Sequence, residues 1–345
     1  MAGQTLDYLI ITPLPVFYKV NLYNELVKSL KICVVFLAQY TQEVRSKDFN
    51  TLEKARFDYS VLFEGALQQR PVLSNLLKIA QILRQKPHKR LLIGGWDCIE
   101  FWAGAFLTPK SCNGVVVESS IIESTTSGLK SWLKRLFLRR VSHALVCSHL
   151  HADLLKALHF KGVLKTTHGV GVINSPTSRR DQRPYSQKFI CIARLTSVKN
   201  LEFLLRVFAQ LPHLSLSLVG TGELEEKLKS AASSNVCFLG AVKNTHLNTL
   251  LCAHDVLILP SLREPWGLVV EEALAVGLPV LVSAACGAQV LVQEGVNGHI
   301  FDPKDEMRLK QLLENLNPVS YQTLLEGALN WSLEAKDREQ IGAYL

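Results

Sequence analysis

Short apolar runs recur along the chain, and amphipathic segments of helical period separate them. In the first half the runs cover residues 9–12, 32–37, 91–93, 115–117 and 144–147. A second series covers residues 189–193, 214–219, 236–239, 256–259 and 280–282. Strands that alternate with helices are typical of βαβ units around a parallel sheet. The pattern predicts an α/β fold with two doubly wound, Rossmann-like domains that face one another across a cleft, with ligands at the carboxyl ends of the strands.

Between the two series lies a polar segment, residues 174–184, which Pro176 and Pro184 interrupt. This composition is typical of an interdomain linker. It predicts a first domain over residues 1–175 and a second that begins at residue 187. A length of 345 residues suits two such domains.

The net charge of +8 favours anionic partners such as diphosphates, nucleic acid or acidic lipid head groups. The eight cysteines form no C-x-x-C motif, which indicates reduced thiols in a cytoplasmic protein. The first residues lack the basic segment of a signal peptide, and no apolar run reaches the length of a transmembrane helix. Aromatic residues interleaved with basic ones, as nucleic-acid binding would need, are not found.

The most informative motif sets Glu264 and Glu272 eight positions apart. Pro265 suits the first turn of a helix, and Gly277 suits the position after its last turn. The spacing predicts Glu264 at the mouth of the helix and Glu272 roughly 10–12 Å further along its axis. Unpaired N–H groups near Gly267 would form an anion site between them.

This arrangement suits a nucleotide diphosphate sugar. Glu264 would bind the sugar, the helix amides the diphosphate and Glu272 the ribose hydroxyls. The adjacent Glu271 would point about 100° away and is predicted to be a surface charge.

Two motifs precede this segment. Arg194 and Lys199 follow an apolar run and would meet a phosphate at the carboxyl end of a strand, although solvated loop charges are the plainer alternative. Gly220 and Gly222 form a Gly-x-Gly turn after the next run. The turn lacks the third glycine of a dinucleotide fingerprint, because residue 225 is Glu.

Together these motifs resemble the signature of glycosyltransferase family 4: a Glu, seven residues and a second Glu after Pro-Ser, with an upstream Arg…Lys-Asn loop and Gly-x-Gly turn. The match is dense over residues 187–303. The resemblance implies a GT-B fold with an N-terminal acceptor-binding domain over 1–175 and a nucleotide-sugar-binding domain over 187–325. A helix within 326–345 would cross back to the N-terminal domain.

The resemblance also implies a retaining, metal-independent hexosyltransferase, with the nucleotide sugar as co-substrate and no further cofactor. Its departing phosphate would assist the acceptor hydroxyl. The catalytic residues it implies are Glu264, Arg194, Lys199 and Glu118. The donor-binding residues are Glu272, Gly220, Gly222, Trp266, Gly267, Leu268 and Lys19.

Glu118 and Lys19 belong to the first domain. Many family members have a histidine where this chain has Glu118, and a subset resembles it in placing Glu-Ser there. At the end of an apolar run, Glu118 would touch the acceptor or position the donor sugar. As a lone carboxylate it equally suits a helix cap or the surface. Lys19 follows a proline-containing loop and would reach the donor phosphates.

A basic amphipathic segment covers residues 129–140. Apolar residues at positions 129, 132, 133, 136 and 137 share one helical face. Its positive charges are Lys130, Lys134, Arg135, Arg139 and Arg140. One interpretation is an ordinary helix packed on the sheet, and the other is a face that rests on an anionic membrane.

The sequence thus predicts a glycosyltransferase that acts on a glycan acceptor carried on lipid. Its reaction would belong to the synthesis of a cell-surface polysaccharide or glycolipid. The enzyme would be cytoplasmic and peripheral on the cytoplasmic face of the membrane. The alternative is a non-catalytic GT-B protein that binds a nucleotide sugar or glycan.

Overall fold

The computed structural model describes residues 5–42 and 50–345 and separates into two compact units. The first unit comprises Met1–Asn174 together with Asp337–Leu345, and the second comprises Ser175–Lys336. Residues 1–4 of the predicted first domain lie outside the described part of the chain.

Within the described residues, the first unit contains a seven-stranded parallel sheet in the order β3-β2-β1-β4-β5-β6-β7. The strands are β1 Leu6–Thr12, β2 Ile32–Phe36, β3 Asp58–Val61, β4 His88–Ile93, β5 Asn113–Val117, β6 His143–Val146 and β7 Val163–Thr166. The helices around it are α1 Phe17–Leu26, α2 Val72–Gln85, α3 Ile99–Leu107, α4 Gly128–Leu138 and α5 His149–Ala157. The apolar runs predict the five central strands but miss β3 and β7, because these edge strands are partly exposed and carry polar residues.

The second unit contains, in the described residues, a six-stranded parallel sheet in the order β10-β9-β8-β11-β12-β13. The strands are β8 Lys188–Ile192, β9 Ser215–Val219, β10 Val236–Gly240, β11 Val256–Leu259, β12 Val280–Ser283 and β13 Gly298–Phe301. The helices are α6 Leu201–Ala209, α7 Glu225–Ala231, α8 Asn244–Cys252, α9 Leu268–Ala275, α10 Glu306–Glu314, α11 Pro318–Asn330 and α12 Leu333–Gly342, which continues into the first unit. The prediction of two doubly wound parallel sheets is confirmed, although the sequence pattern missed the edge strand β13.

Both faces of the first sheet are covered. Along β1, Leu9 and Ile11 pack into one apolar cluster, whereas Tyr8 and Ile10 pack into another. Alternate side chains of a strand point to opposite faces, so a strand buried on both sides reads as an unbroken apolar run. That is why periodicity predicted the central strands well.

The strand order of each sheet reverses at one position. In the first sheet the reversal lies between β1 and β4, and in the second between β8 and β11. Parallel connections leave on opposite sides of the sheet at such a point and open a crevice at the carboxyl ends of the strands. The loops after these strands carry the residues predicted to bind ligands.

Part of the predicted linker is a buried element of the second unit. Arg180 is 4% exposed, and its Nη2 donates to Asp255 Oδ1 at 2.7 Å. The other oxygen of Asp255 accepts from the amide and hydroxyl of Ser186 and the amide of Lys188. Burial acts to raise the pKa of Asp255, but these hydrogen bonds and Arg180 outweigh it and hold the pKa below its usual value.

We expect Asp255→Asn to destabilise the second unit by about 3–5 kcal/mol, because it leaves the buried Arg180 guanidinium without its counter-charge. Hydrogen exchange at the amides of β8 and β11 would measure the change in that unit. Lys227→Gln, which removes an exposed pair with Glu202, should change the protection little. Equal effects of the two substitutions would contradict a structural role for the buried pair.

Candidate functional site

An ion pair joins Lys199 to Glu264 in the second unit. Lys199 ends a short 3-10 turn after β8, and Glu264 lies in the loop after β11. Their side chains are only 13% and 14% exposed, so the pair is largely shielded from water. The hydroxyl of Ser261 donates to the same carboxylate at 3.2 Å. The structure therefore brings together two of the residues predicted to be catalytic.

Backbone hydrogen bonds fix the loop that carries Glu264. Its N–H donates to the carbonyl of Ala285 at 3.1 Å, and its carbonyl accepts from the N–H of Gly287 at 2.9 Å. The N–H of Leu262 donates to the carbonyl of Val198 at 2.9 Å, which ties this loop to the one after β8. The carboxylate is thus held in place before any ligand arrives.

Helix α9 begins at Leu268, later than predicted. Pro265 does not enter its first turn, because Gly267 at the N-cap has a φ of 97°, which is not helical. A Cβ at this position would lie 2.8 Å from the sulfur of Cys286, so only glycine fits the turn. Within the described residues, the amides of Gly267 and Leu268 have no acceptor, and they remain available to an anion.

The prediction that Glu271 is a surface charge is wrong. Its side chain is fully buried, forms an ion pair with Lys336 and accepts a hydrogen bond from the indole of Trp266 at 3.1 Å. Lys336 belongs to α12, far along the chain, so the helical wheel of α9 alone did not reveal it. The Trp266 side chain is 4% exposed and faces the interior, which leaves its backbone as the part near the predicted donor site.

Glu272 is half-buried and is the fifth of the eight residues of α9. Burial, with a smaller contribution from the neighbouring Glu271, raises its pKa to about 7. A carboxyl group with this pKa can act as a hydrogen-bond donor as well as an acceptor near neutral pH.

The remaining second-unit candidates lie in the adjacent loops. Arg194 is exposed immediately after β8. Gly220 has a φ of 130°, and a Cβ there would meet the carbonyl of Ala193 at 2.0 Å. A Cβ at Gly222 would meet the carbonyl of Leu195 at 2.4 Å. Both glycines thus allow their loop to approach the backbone of the loop that begins at Arg194, and a donor contact stays a prediction.

The first-unit candidates Lys19 and Glu118 also form an ion pair. Lys19 is buried, whereas 37% of the Glu118 side chain is exposed. Burial acts to lower the pKa of Lys19, but the carboxylate of Glu118, together with the nearby Tyr23, Tyr344 and Tyr18, outweighs burial and holds the pKa well above its ordinary value. Lys19 is therefore a permanent cation that positions Glu118. Its predicted contact with donor phosphates is not tested by this arrangement.

Both residues line a cavity of about 230 Å³ at the carboxyl edge of the first sheet. Gly94, which follows β4, contributes to the same wall. Tyr18, Tyr23 and Gln68 also line this cavity, and sequence reasoning missed them. Their positions beside the strand-order reversal are visible only once the sheet order is known.

Helix α4 exposes part of the face that the packed interpretation would bury. Leu129 is 73% exposed and Trp132 57%, whereas Phe137 and Leu138 are buried. The five cations are not equally free: Lys130 and Arg139 are exposed, while Lys134, Arg135 and Arg140 are half-buried. The membrane interpretation expects all five cations to be exposed, and this expectation is wrong: three are half-buried, and Arg140 donates to the carbonyls of Ala105 and Thr108.

Two observations concern metals and membranes. In the part of the chain that the structure describes, no three His, Cys, Asp or Glu side chains are grouped so as to hold a metal ion. No helix of the described ranges combines the length and apolar character needed to cross a membrane. Metal independence stays a prediction.

Most of the second unit matches the model of a known sequence family. The model of the family described as Glycosyl transferases group 1 matches residues 176–317, which include the loops of Arg194, Lys199, Glu264 and Glu272. Residues 176–317 therefore resemble a group 1 glycosyltransferase domain.

Curated relatives match the chain over a limited length. An uncharacterized glycosyltransferase of Methanocaldococcus jannaschii is 33% identical over 122 residues, or 33% of this chain and 31% of that protein. A sulfoquinovosyl transferase of Arabidopsis thaliana is 33% identical over 126 residues, or 35% of this chain and 25% of that protein. The chain thus spans about a third or less of the length of these two relatives.

Solved structures match both units of the chain. A sucrose-phosphate synthase of Thermosynechococcus elongatus superposes with a TM-score of 0.72 at 16% identity and covers 97% of each chain. The HepE protein of Anabaena, solved in complex with UDP-glucose, gives 0.71 at 17% identity and covers 98% of each chain. The predicted GT-B fold is confirmed.

We expect Glu272→Gln to stabilise the second unit at about pH 8 and to change its stability little at about pH 4. Above its ordinary pKa of 4.5 the unfolded chain loses a proton that the folded chain retains up to about pH 7. The parent therefore loses about 1.4 kcal/mol of stability per pH unit across that window as the pH rises.

Hydrogen exchange of the β11 and β12 amides as a function of pH would measure this effect. Glu223→Gln removes an exposed carboxylate of the same unit and is the control. A variant at position 272 with the pH dependence of the parent would contradict the raised pKa.

Proposed function

We propose that the chain transfers a hexosyl group from a nucleotide diphosphate sugar to a glycan acceptor, with retention of configuration at the anomeric carbon. The observation that carries this proposal is the buried Lys199–Glu264 pair beside the open amides at the start of α9. At one sheet edge, the cation and the free N–H groups would bind the anionic diphosphate, and the carboxylate would accept hydrogen bonds from the sugar hydroxyls. UDP-glucose, which was bound in the HepE structure, is the first donor to test.

The site would act mainly by electrostatic stabilisation. Cleavage of the bond at the anomeric carbon produces a positively charged sugar and an anionic diphosphate. Arg194, Lys199 and the α9 amides would stabilise the diphosphate, and Glu264 would bind the sugar hydroxyls. Glu272 would orient the ribose. Because these groups meet the developing negative charge, we propose that the transfer requires no metal ion.

The acceptor would bind in the cavity of the first unit that contains Glu118. The ion pair with Lys19 holds this carboxylate at the cavity wall and leaves part of it exposed to a hydroxyl group. The departing phosphate would assist the acceptor hydroxyl on the same face of the sugar.

We further propose that the acceptor is carried on lipid and that the protein works on the cytoplasmic face of a membrane, in polysaccharide or glycolipid synthesis. The exposed Leu129 and Trp132 of α4 lie among Lys130 and Arg139, a combination suited to an anionic surface. A lipopolysaccharide outer core galactosyltransferase has the same fold, with a TM-score of 0.67 at 13% identity.

Arg194→Ala and Lys199→Ala should each reduce turnover of the donor by roughly 10²–10³-fold, because each removes a charge that stabilises the departing diphosphate. Donor hydrolysis and transfer would be measured with UDP-glucose first and then with a panel of nucleotide sugars. Lys304→Ala removes an exposed cation of the same unit and should leave turnover unchanged. Near-normal rates in both site variants would remove the diphosphate assignment.

The same assay tests the alternative of a non-catalytic binding protein. That alternative predicts that a nucleotide sugar raises the melting temperature while neither hydrolysis nor transfer occurs. A ligand at 100 times its Kd would stabilise the fold by about 2.7 kcal/mol, so binding is detectable without turnover.

Leu129→Gln with Trp132→Gln should weaken binding to anionic vesicles at least about tenfold, because burial of each side chain contributes about 1.5–3 kcal/mol. Co-sedimentation with anionic and neutral vesicles at low and high salt would measure it. Leu73→Gln with Leu77→Gln is the matched control, since these side chains are 78% and 74% exposed on α2. Equal losses in the two double variants would contradict docking through α4.

A further inference from the structure

A second cavity of the first unit lies at the opposite edge of its sheet. It encloses about 330 Å³ and is lined by Lys110, Val141 and Lys161, which lie just before β5, β6 and β7 respectively. The three strands are parallel neighbours, so their amino-terminal ends share one edge. Glu118 follows the carboxyl end of β5. This cavity is therefore separate from the one proposed to bind the acceptor.

The ionisable side chains of the cavity wall are all basic. The ionisable residues that line the cavity are Lys110, Arg135, Arg139, His159 and Lys161, and no carboxylate in residues 5–42 or 50–345 lines it. Among the described residues, none of the five forms an ion pair, and the buried Nε of Arg135 has no hydrogen-bond partner. Like charges gathered around one cavity repel each other, and a bound anion would offset that cost.

Capping of helix ends explains only part of this cluster. Helices α4 and α5 both end near the cavity, and the helix dipole stabilises a cation in a last turn. That accounts for Arg139 at the end of α4. It does not account for Lys110 and Lys161, which lie outside both helices and yet line the same cavity.

The floor of the cavity is apolar. Leu138, Leu158 and Phe160 supply it beneath the cationic wall. Guanidinium groups bind phosphate oxygens through paired N–H donors, and ammonium groups add point charges. We propose that this cavity binds a phosphate ester, with the phosphate between the arginine and lysine side chains and the attached carbon group on the apolar floor.

Two sources could supply that phosphate ester. One is the head group of an anionic lipid, because Arg135 and Arg139 follow the exposed Trp132 by three and seven residues and so share its side of α4. The other is a free phosphomonoester in solution. In either case the site lies away from the loops proposed for sugar transfer, so the inference stands whether or not that transfer is found.

The test compares two double variants that remove the same charge. Lys110→Gln with Lys161→Gln alters the cavity, and both lysines are exposed, so the fold should tolerate the change. Lys31→Gln with Lys54→Gln is the control, because these exposed lysines of the first unit lie outside both the cavity and α4. The probes are glycerol 3-phosphate in solution and phosphatidylcholine vesicles with and without phosphatidic acid.

We expect the cavity variant to lose at least about tenfold in affinity for one or both phosphate probes, while the control retains its affinity within about twofold. The ring resonances of His159 should shift on binding to the parent and not to the cavity variant. This pattern with glycerol 3-phosphate assigns a soluble ligand, and the pattern with phosphatidic acid vesicles alone assigns a lipid head group. No binding of either probe, or equal losses in the two variants, would overturn the proposal.

Discussion

The candidate site of the second unit depends on the ion pair between Lys199 and Glu264. Two charges that are mostly shielded from water cost free energy to desolvate, and each stabilises the other only while the loops that carry them stay in place. The backbone bonds of Glu264 and Leu262 supply that restraint. An arriving diphosphate would compete with Glu264 for the ammonium of Lys199, whereas a sugar would compete with Lys199 for the carboxylate. Before any ligand binds, the pair thus holds in place an ammonium group for the diphosphate and a carboxylate for the sugar.

A constraint of topology explains why those two residues meet although 65 residues separate them. Each strand of the sheet is parallel to its neighbours, so every strand ends at the same edge, and the order reverses between β8 and β11. The loops after these two strands must turn to opposite sides of the sheet. In the first sheet the order reverses between β1 and β4. Lys19, in α1 after β1, and Glu118, after β5, line the cavity at that edge. In both sheets the ion pair lies at the edge where the parallel strands end.

Sequence reasoning succeeded where the signal was local. Buried central strands read as apolar runs, and the Glu264–Glu272 spacing identified the helix between them. It failed where a contact came from a distant part of the chain. The burial of Glu271 depends on Lys336, and the half-buried state of Arg140 depends on the carbonyls of Ala105 and Thr108 at the end of α3. It also failed on backbone conformation, because the left-handed φ of Gly267, rather than Pro265, determines where α9 begins. Edge strands such as β7 were not predicted, because their exposed positions carry polar residues that interrupt the apolar run.

Two groups of basic side chains differ in their surroundings, those paired with a carboxylate and those that line the cationic cavity. At the two sites proposed for sugar transfer, Lys19 and Lys199 each face a carboxylate at contact distance, and dissolved salt screens such shielded pairs weakly. Around α4 and the amino-terminal edge of the first sheet, the cations that line the cavity have no such partner in the described residues, and interactions of exposed charges fade with ionic strength. Binding to an anionic surface and chemistry at the donor site should consequently respond to salt in different ways. Under both proposals, the paired cations take part in the reaction and the unpaired cations attach the protein to an anionic surface. Salt should then weaken the attachment more than the reaction.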